Sequence, residues 1–417
     1  MVRIAHIADI HLDVVTYGVN DPATGMNTRL MDYIRTWEWT VSEVLHRSVE
    51  IVVIAGDIFH VRRPSLPAVV AFIAGVQRLL AAGVEVVLYP GNHDRPATTT
   101  EQGVWQLLER TLPGAHVAVH EAQTYVFDLA GGRTTVSVVP SFGRSGLLTS
   151  DDLKGLGPIE ANAAVATATL AIARDEMARA QQANPDGVRL LSLHCAIDTA
   201  RTSTEQTLSL RDEVVLRLDD LAAISAAQAV LLGHIHKPQV LRGSSPWVGY
   251  PGSIERAEFP EADEAKGFYV LDCSPDAVVA EHVATPARVF QPVTVRLEGD
   301  TPEAIEAAVQ QIRAAAVDGA IVRVRAFAPE SAAGKLDAAA IAELLQQAGA
   351  HKVTGVDIEV DRAERVRDSA FAESLSTREA LTRWLAQNVD DPARRERLER
   401  LGDDLAGGDN TGQGVAA

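Results

Sequence analysis

The sequence predicts a mixed α and β protein, α/β or α+β. Short β-branched runs alternate with longer helical patterns, and polar residues of unusual type cluster just after the runs. The runs fall at residues 51–55, 84–89, 136–139, 188–193, 229–232 and 268–271. Between them lie helical patterns such as 67–81 and 161–182. Clusters just past strand ends matter because chain turns there leave side chains exposed at a sheet edge.

The strand–helix alternation continues in a second unit, expected over 286–365. It reads strand 293–297, helix 302–316, strand 321–326, helix 338–348 and strand 353–360. Thr301-Pro302 and Asp337-Ala338 are helix-start signals. A third segment, 366–405, holds the capping-box pattern Ser376-Thr377-Arg378-Glu379. Leu381, Trp384 and Leu385 then share a helical face, and Asp391-Pro392 opens a second helix with Leu398, Leu401 and Leu405 at helical spacing. The Gly-rich stretch 406–417 reads as a flexible tail.

Composition bounds the function classes. Hydrophobic residues make up 47% of the 417, enough for a sizeable core over two to three domains. The formal charge of −18 argues against indiscriminate coating of nucleic acid. A DNA enzyme is still compatible with it, because local Lys/Arg patches and bound cations set the local potential. Cys195 and Cys273 are too few and too far apart for a disulfide framework, which fits a reducing cytoplasm. The start carries no signal-peptide pattern, and no run approaches the roughly 18 apolar residues of a membrane span.

Five clusters carry the chemistry: Asp9-Ile10-His11, Gly56-Asp57, Gly91-Asn92-His93-Asp94, His194 and Gly233-His234-Ile235-His236. In an extended segment residues two apart point the same way, so Asp9 and His11 are expected to reach one metal. His6 has the opposite parity and reads as structural, and Cys195 reads as a small buried hydrophobe. Imidazoles, carboxylates and an amide form a mixed nitrogen and oxygen set. It suits Mn²⁺, Fe²⁺ or Zn²⁺ better than a thiolate zinc or all-oxygen calcium site would. So many ligands exceed one tetrahedral site; two ions about 3.5–4 Å apart, sharing a carboxylate, use them all.

This set, in this order, resembles the calcineurin-like metallophosphoesterase family. The resemblance implies an α+β fold with a two-sheet core flanked by helices over 1–285. It implies Asp9, His11, Asp57 and His236 around one metal, and Asp57, Asn92, His194 and His234 around the other. His93 matches the family's proton donor to the leaving oxygen, and Asp94 would orient and charge-stabilise it. Mn²⁺ is the expected ion, with Fe²⁺, Zn²⁺ and Mg²⁺ as alternatives.

Finer stretches resemble the SbcD branch of DNA repair nucleases. They are Phe59-His60 with Arg62-Arg63-Pro64-Ser65, Lys237-Pro238-Gln239, Tyr250 to Arg256, and Lys266-Gly267-Phe268-Tyr269. That resemblance implies a DNA exo/endonuclease, a capping or DNA-recognition domain at 286–365, and an SbcC-type coiled-coil ATPase bound through 366–405. It also implies a homodimer. His60 would lie near the metals. Arg62, Arg63, Arg95 and Lys237 flank the motifs, either as phosphate contacts or as solvated surface charges. Residues 13–30 make a longer stretch after the first motif than the branch leads one to expect. Two other readings carry the same ligands: a metallophosphoesterase for a non-DNA phosphate ester, and a non-catalytic scaffold that has kept the fold.

Overall fold

The computed structural model describes residues 1–97, 103–142, 147, 154–203, 213–224, 226–315, 317–360, 381–382, 384–386, 389 and 392–407. In chain order the first strands are β1 (Val2–Ile7), β2 (Ile51–Ala55), β3 (Glu85–Tyr89), β4 (His116–Val117), β5 (Gln123–Leu129), β6 (Gly132–Val139) and β7 (Val188–His194). Next come β8 (Ala196–Ile197), β9 (Val215–Leu216), β10 (Ala229–Gly233), β11 (Gln239–Arg242) and β12 (Trp247–Tyr250). The last are β13 (Gly267–Cys273), β14 (Val278–Ala284), β15 (Phe290–Arg296), β16 (Ile321–Ala328) and β17 (Lys352–Val360).

Two six-stranded sheets form the larger part, with orders β14-β13-β1-β2-β3-β4 and β11-β12-β10-β7-β6-β5. Strands β1 to β4 run parallel, and so do β6, β7, β10 and β12. Alternation along the strands sorts side chains into layers. Ile51, Val53, Leu190 and Leu231 fill the space between the sheets. Val52 and Ile54 face helices Thr28–His46 and Leu66–Ala81, while Leu191, Leu193, Val230 and Leu232 face helix Pro158–Ala183. Strands buried on both faces read as continuous apolar runs, which is why the sequence shows them so plainly. The fold is the mixed two-sheet architecture with flanking helices that the sequence leads one to expect. Parallel strands bring their C-terminal ends to one edge, and all five chemical clusters lie there.

The segment after β14 builds a separate parallel sheet, β15-β16-β17, with its own apolar core. Helices Pro302–Arg313, Glu330–Ala333 and Ala338–Gln347 accompany it. Thr301 and Asp337 cap two of them through side-chain bonds to backbone N–H groups, as their helix-start signals predict. On the exposed side, Arg323 pairs with Asp357 (3.2 Å) and Arg325 with Glu359 (2.9 Å).

This sheet is anchored by buried charge. Arg29 and Glu255 are 0% and 1% exposed. Arg29 donates to Asp32 (2.8 Å) and lies 3.6 Å from Glu255. Arg288, in the linker to β15, also pairs with Asp32, and its backbone N–H donates to Glu255. The long stretch after the first motif joins in: Lys352 donates to the Gly18 carbonyl (2.9 Å), and His351 meets Thr28 (3.2 Å).

The C-terminal expectations are partly corrected. Leu385 is buried at 1% exposure while Trp384 is half exposed, so the proposed apolar face is divided. Leu381 packs against Gly402 of helix Pro392–Gly407. That helix continues two residues into the stretch read as a tail. The capping box Ser376–Glu379, Asp391 and residues 408–417 lie outside the described residues. No helix among the described residues is long and apolar enough to cross a membrane.

Removing one partner of a buried ion cluster strands the others, at about 3–5 kcal/mol. Arg29→Ala is therefore expected to lower the urea midpoint markedly. Arg323→Ala, in an exposed pair, is expected to leave it within error. Equal midpoints for the two variants would remove the anchoring role of Arg29.

Candidate metal centre

The clusters converge because the ends of β1 and β2 stay paired beyond the strands. Asp9 N–H donates to the Gly56 carbonyl (3.2 Å), His11 N–H to Asp57 (3.0 Å), and Leu12 N–H to Ile58 (2.9 Å). The backbone there is not extended. Asp9, His11 and Asp57 have φ of 51°, 49° and 49°, and His234 has 104°. Positive φ is uncommon outside glycine and is costly when unsupported, and it gathers at functional sites. The strand-parity argument for Asp9 and His11 thus fails as geometry. Their side chains still converge, with His11 Nε2 4.0 Å from Asp9 Oδ1.

Each remaining cluster is tied to this pair. Asp57 Oδ1 accepts the His93 N–H (2.8 Å), which docks the third motif. His194 Nδ1 donates to the Ala55 carbonyl at the end of β2 (2.8 Å). Asp9 accepts the His234 N–H at 3.0–3.1 Å. Glycine is required where these segments touch. A Cβ on Gly91 would collide with the Asp57 carboxylate, and one on Gly233 with the Ala55 carbonyl.

Among the described residues three groups of donors result; one is all histidine (His11, His60 and His93), and the two that include carboxylates carry the centre. Atoms of Asp9, His11 and His236 lie within 4.8 Å of one another, as do those of Asp57, His194 and His234. His11 Nε2 and His236 Nε2 are only 2.9 Å apart. Asn92 Oδ1 sits 3.0 Å from His194 Nε2 and 2.9 Å from His234 Nδ1. Asp57 Oδ2 lies between the groups, 3.1 Å from His194 and 3.8 Å from His11. Lone pairs of imidazoles, carboxylates and an amide that converge this closely match the donor set of two divalent cations. The outer nitrogen of His236 is held as well, its Nδ1 2.8 Å from Glu261, while His234 Nε2 has Glu213 in its neighbourhood at 3.6 Å, beyond hydrogen-bond reach.

The electrostatics fit a place for cations. Burial opposes ionisation of Asp57, yet His194 and His11 hold its carboxyl well below the usual range. Burial would neutralise His194, but Asp57 and then Asp9 push it up to about 9. Burial, followed by His236, drives His11 far down.

His93 lies beside the Asp9 group and is exposed, with its ring 4.9 Å from His11 and stacked on His60 at 5.4 Å. Its Nδ1 meets the His60 carbonyl at 3.1 Å. Asp94 does not contact it as the resemblance implies. The Asp94 carboxylate instead accepts from the N–H groups of Ile58 (2.8 Å), Phe59 (3.1 Å) and Gly91 (2.9 Å). It therefore locks two loops together and acts on His93 only through their shape. Burial and the nearby Asp57 raise its pKa. His60 is brought to the centre, 5.5 Å from His11. Arg62 and Arg63 are exposed, Lys237 and Arg95 partly so. Burial, and then the like charge of Arg62, lower the pKa of Arg95. His6 is fully buried, and Cys195 is buried and pushed up to about 12.

Sequence reasoning misses Glu261 and Glu213, which sit in no motif. The only trace is a run of acidic residues near Lys266.

A two-sheet fold with clustered His, Asp and Asn side chains at its strand ends defines a phosphoesterase of the metal-dependent class. The chain belongs to the calcineurin-like phosphoesterase family, whose model matches residues 2–238. It is 28% identical over 326 residues to the DNA double-strand break repair protein Mre11 of Haloferax volcanii, covering 78% of this chain and 61% of that protein. The Mre11 of Aeropyrum pernix is 27% identical over 296 residues, covering 69% and 62%. The SbcD component of the SbcCD nuclease of Escherichia coli K12 is 24% identical over 302 residues, covering 72% and 71%. The chain thus spans about three fifths of the two archaeal relatives.

A raised folded-state pKa stabilises below the unfolded value and loses that contribution as pH rises through the folded one. For His194 the window runs from 6.5 to about 9. Chelator-treated protein is expected to show a falling unfolding temperature across that range. A flat profile would remove the His194–Asp57 pairing.

Proposed function

We propose that the protein hydrolyses phosphodiester bonds in DNA, as the nuclease subunit of a double-strand-break repair complex. The observation that carries this reading is the convergence of both donor groups on Asp57, beside an exposed His93. DNA as substrate is supported by the names of the relatives, which are repair proteins and a nuclease component.

In this reading Asp9, His11, Asp57 and His236 hold one ion, and Asp57, Asn92, His194 and His234 the other, with Mn²⁺ the preferred species. Ions held there would supply screening of the phosphodiester charge, a more acidic water and stabilisation of the developing oxyanion. The protein supplies the rest. Asp57 orients both halves. His93, with Nδ1 directed to the His60 carbonyl, keeps Nε2 for the proton that the departing sugar oxygen needs. Arg62, Arg63, Arg95 and Lys237 flank the metal motifs in sequence and, in this reading, give an acidic chain its local basic surface for the DNA backbone. The β15–β17 unit within 286–365 serves as the DNA-capping domain beside the nuclease domain 1–285. The helices within 366–405 dock a coiled-coil ATPase, with Trp384 and Leu401, 50% and 51% exposed, toward the partner. The working form is a homodimer.

Purified protein is expected to degrade end-labelled duplex DNA with Mn²⁺ and not with chelator. His93→Ala should lose about 10²–10⁴-fold in rate while still binding metal. Hydrolysis of small phosphodiesters without DNA cleavage would replace DNA as the substrate. Undiminished cleavage by the variant would remove His93 from proton transfer. Deletion after residue 366 is expected to abolish ATPase co-purification and spare metal binding; an intact complex would place the docking surface elsewhere.

A further inference from the structure

Phosphate hydrolysis leaves a set of buried charges unexplained. Glu261, Glu264 and Lys266 are 4%, 9% and 1% exposed. Burying such groups is costly unless each is paired and hydrogen-bonded. Lys266 Nζ satisfies this by donating to Glu261 Oε2 (3.0 Å), Glu264 Oε2 (2.9 Å) and the His236 carbonyl (3.1 Å). Glu261 Oε2 also accepts the Ala257 N–H at 2.9 Å. One oxygen of Glu261 is thus fully engaged, and the other, Oε1, is directed at His236 Nδ1, 2.8 Å away.

The turn that carries Glu261 is itself fixed. It is a short 3₁₀ helix, Phe259–Glu261. The Arg256 guanidinium donates to the carbonyls of Glu261 (3.3 Å), Ala262 (3.2 Å) and Glu264 (2.8 Å) on one side. On the other side it donates to Ala287 (3.3 Å) and Arg288 (3.0 Å), in the linker to β15. The two cations in this arrangement, Arg256 and Lys266, come from two sequence stretches with no chemical role of their own, Tyr250 to Arg256 and Lys266 to Tyr269.

A histidine ligand is set by the bond its other nitrogen makes. His194 has a backbone carbonyl for this purpose, whereas His236 has a carboxylate locked by a buried lysine. We propose that Glu261 is a positioning residue for His236. It keeps Nδ1 protonated and aims Nε2 toward His11 and Asp9, with Lys266 and Arg256 holding Glu261 in place. The inference rests on the two-metal reading and assigns Glu261 to one half of it alone.

The test is calorimetric titration of Mn²⁺ into chelator-stripped full-length protein, with free Mn²⁺ followed by electron paramagnetic resonance. Wild type is expected to bind two ions. Glu261→Ala should weaken one of them by about 10–100-fold and leave the other unchanged, the range typical of lost outer partners. Glu261→Gln keeps an acceptor oxygen and should fall between; being isosteric, it carries the test even where the alanine variant does not fold. Circular dichroism of the stripped proteins checks folding. Equal affinities in wild type and a folded variant would overturn the proposal. Equal weakening of both ions would overturn it too, because the turn would then support the whole site. Wild type that binds no Mn²⁺ would instead refute the two-metal reading.

Discussion

The left-handed backbone at Asp57 is the constraint on which the centre depends. Asp57 sits at the end of β2, between β1 and β3 in the sheet, and opposite the ends of β7 and β10 across the sheet interface. Its φ of 49° is held because the Asp57 carbonyl accepts from His11 and its carboxylate accepts from His93. Strain of this kind costs about 1–3 kcal/mol per residue and persists only when the surroundings over-determine it. Here the neighbours do so. Gly91 makes room for the carboxylate, and Asp94 ties Ile58 and Phe59 to the third motif.

The two-sheet architecture explains how residues so far apart in sequence meet. Asp9 and His234 are 225 positions apart, yet the side chain of one receives the backbone N–H of the other. Parallel strands deliver every cluster to one edge, and the inter-sheet core of Val53, Leu190 and Leu231 fixes the spacing between the two halves. That core is mostly apolar, so the carboxylates and imidazoles at its rim interact strongly. The opposed shifts of Asp57 and His194 follow from that setting.

Much of the centre is legible in the sequence, for a physical reason. Strands buried on both faces leave apolar runs, and a polar residue just beyond such a run is conspicuous. Helix Thr28–His46 is harder to read because its buried face carries Arg29, Asp32, Thr36 and Thr40 among its apolar residues, which breaks the stripe. Edge strands β5, β11 and β14 carry partly exposed positions and interrupt the apolar pattern. Asp94 stands next to His93 in sequence, but its carboxylate is taken up by the backbone N–H groups of Ile58, Phe59 and Gly91, a partnership that only the tertiary structure reveals. Glu213 and Glu261 escape notice because tertiary contact alone brings them to His234 and His236.

Anomalous diffraction at the manganese edge, from crystals grown with Mn²⁺, would examine the centre most directly. Two peaks are expected with Asp57 Oδ2 between them, one among Asp9, His11 and His236, the other among Asn92, His194 and His234. A single peak, or one held by His11, His60 and His93 with Asp57 unengaged, would contradict a centre built on a shared carboxylate.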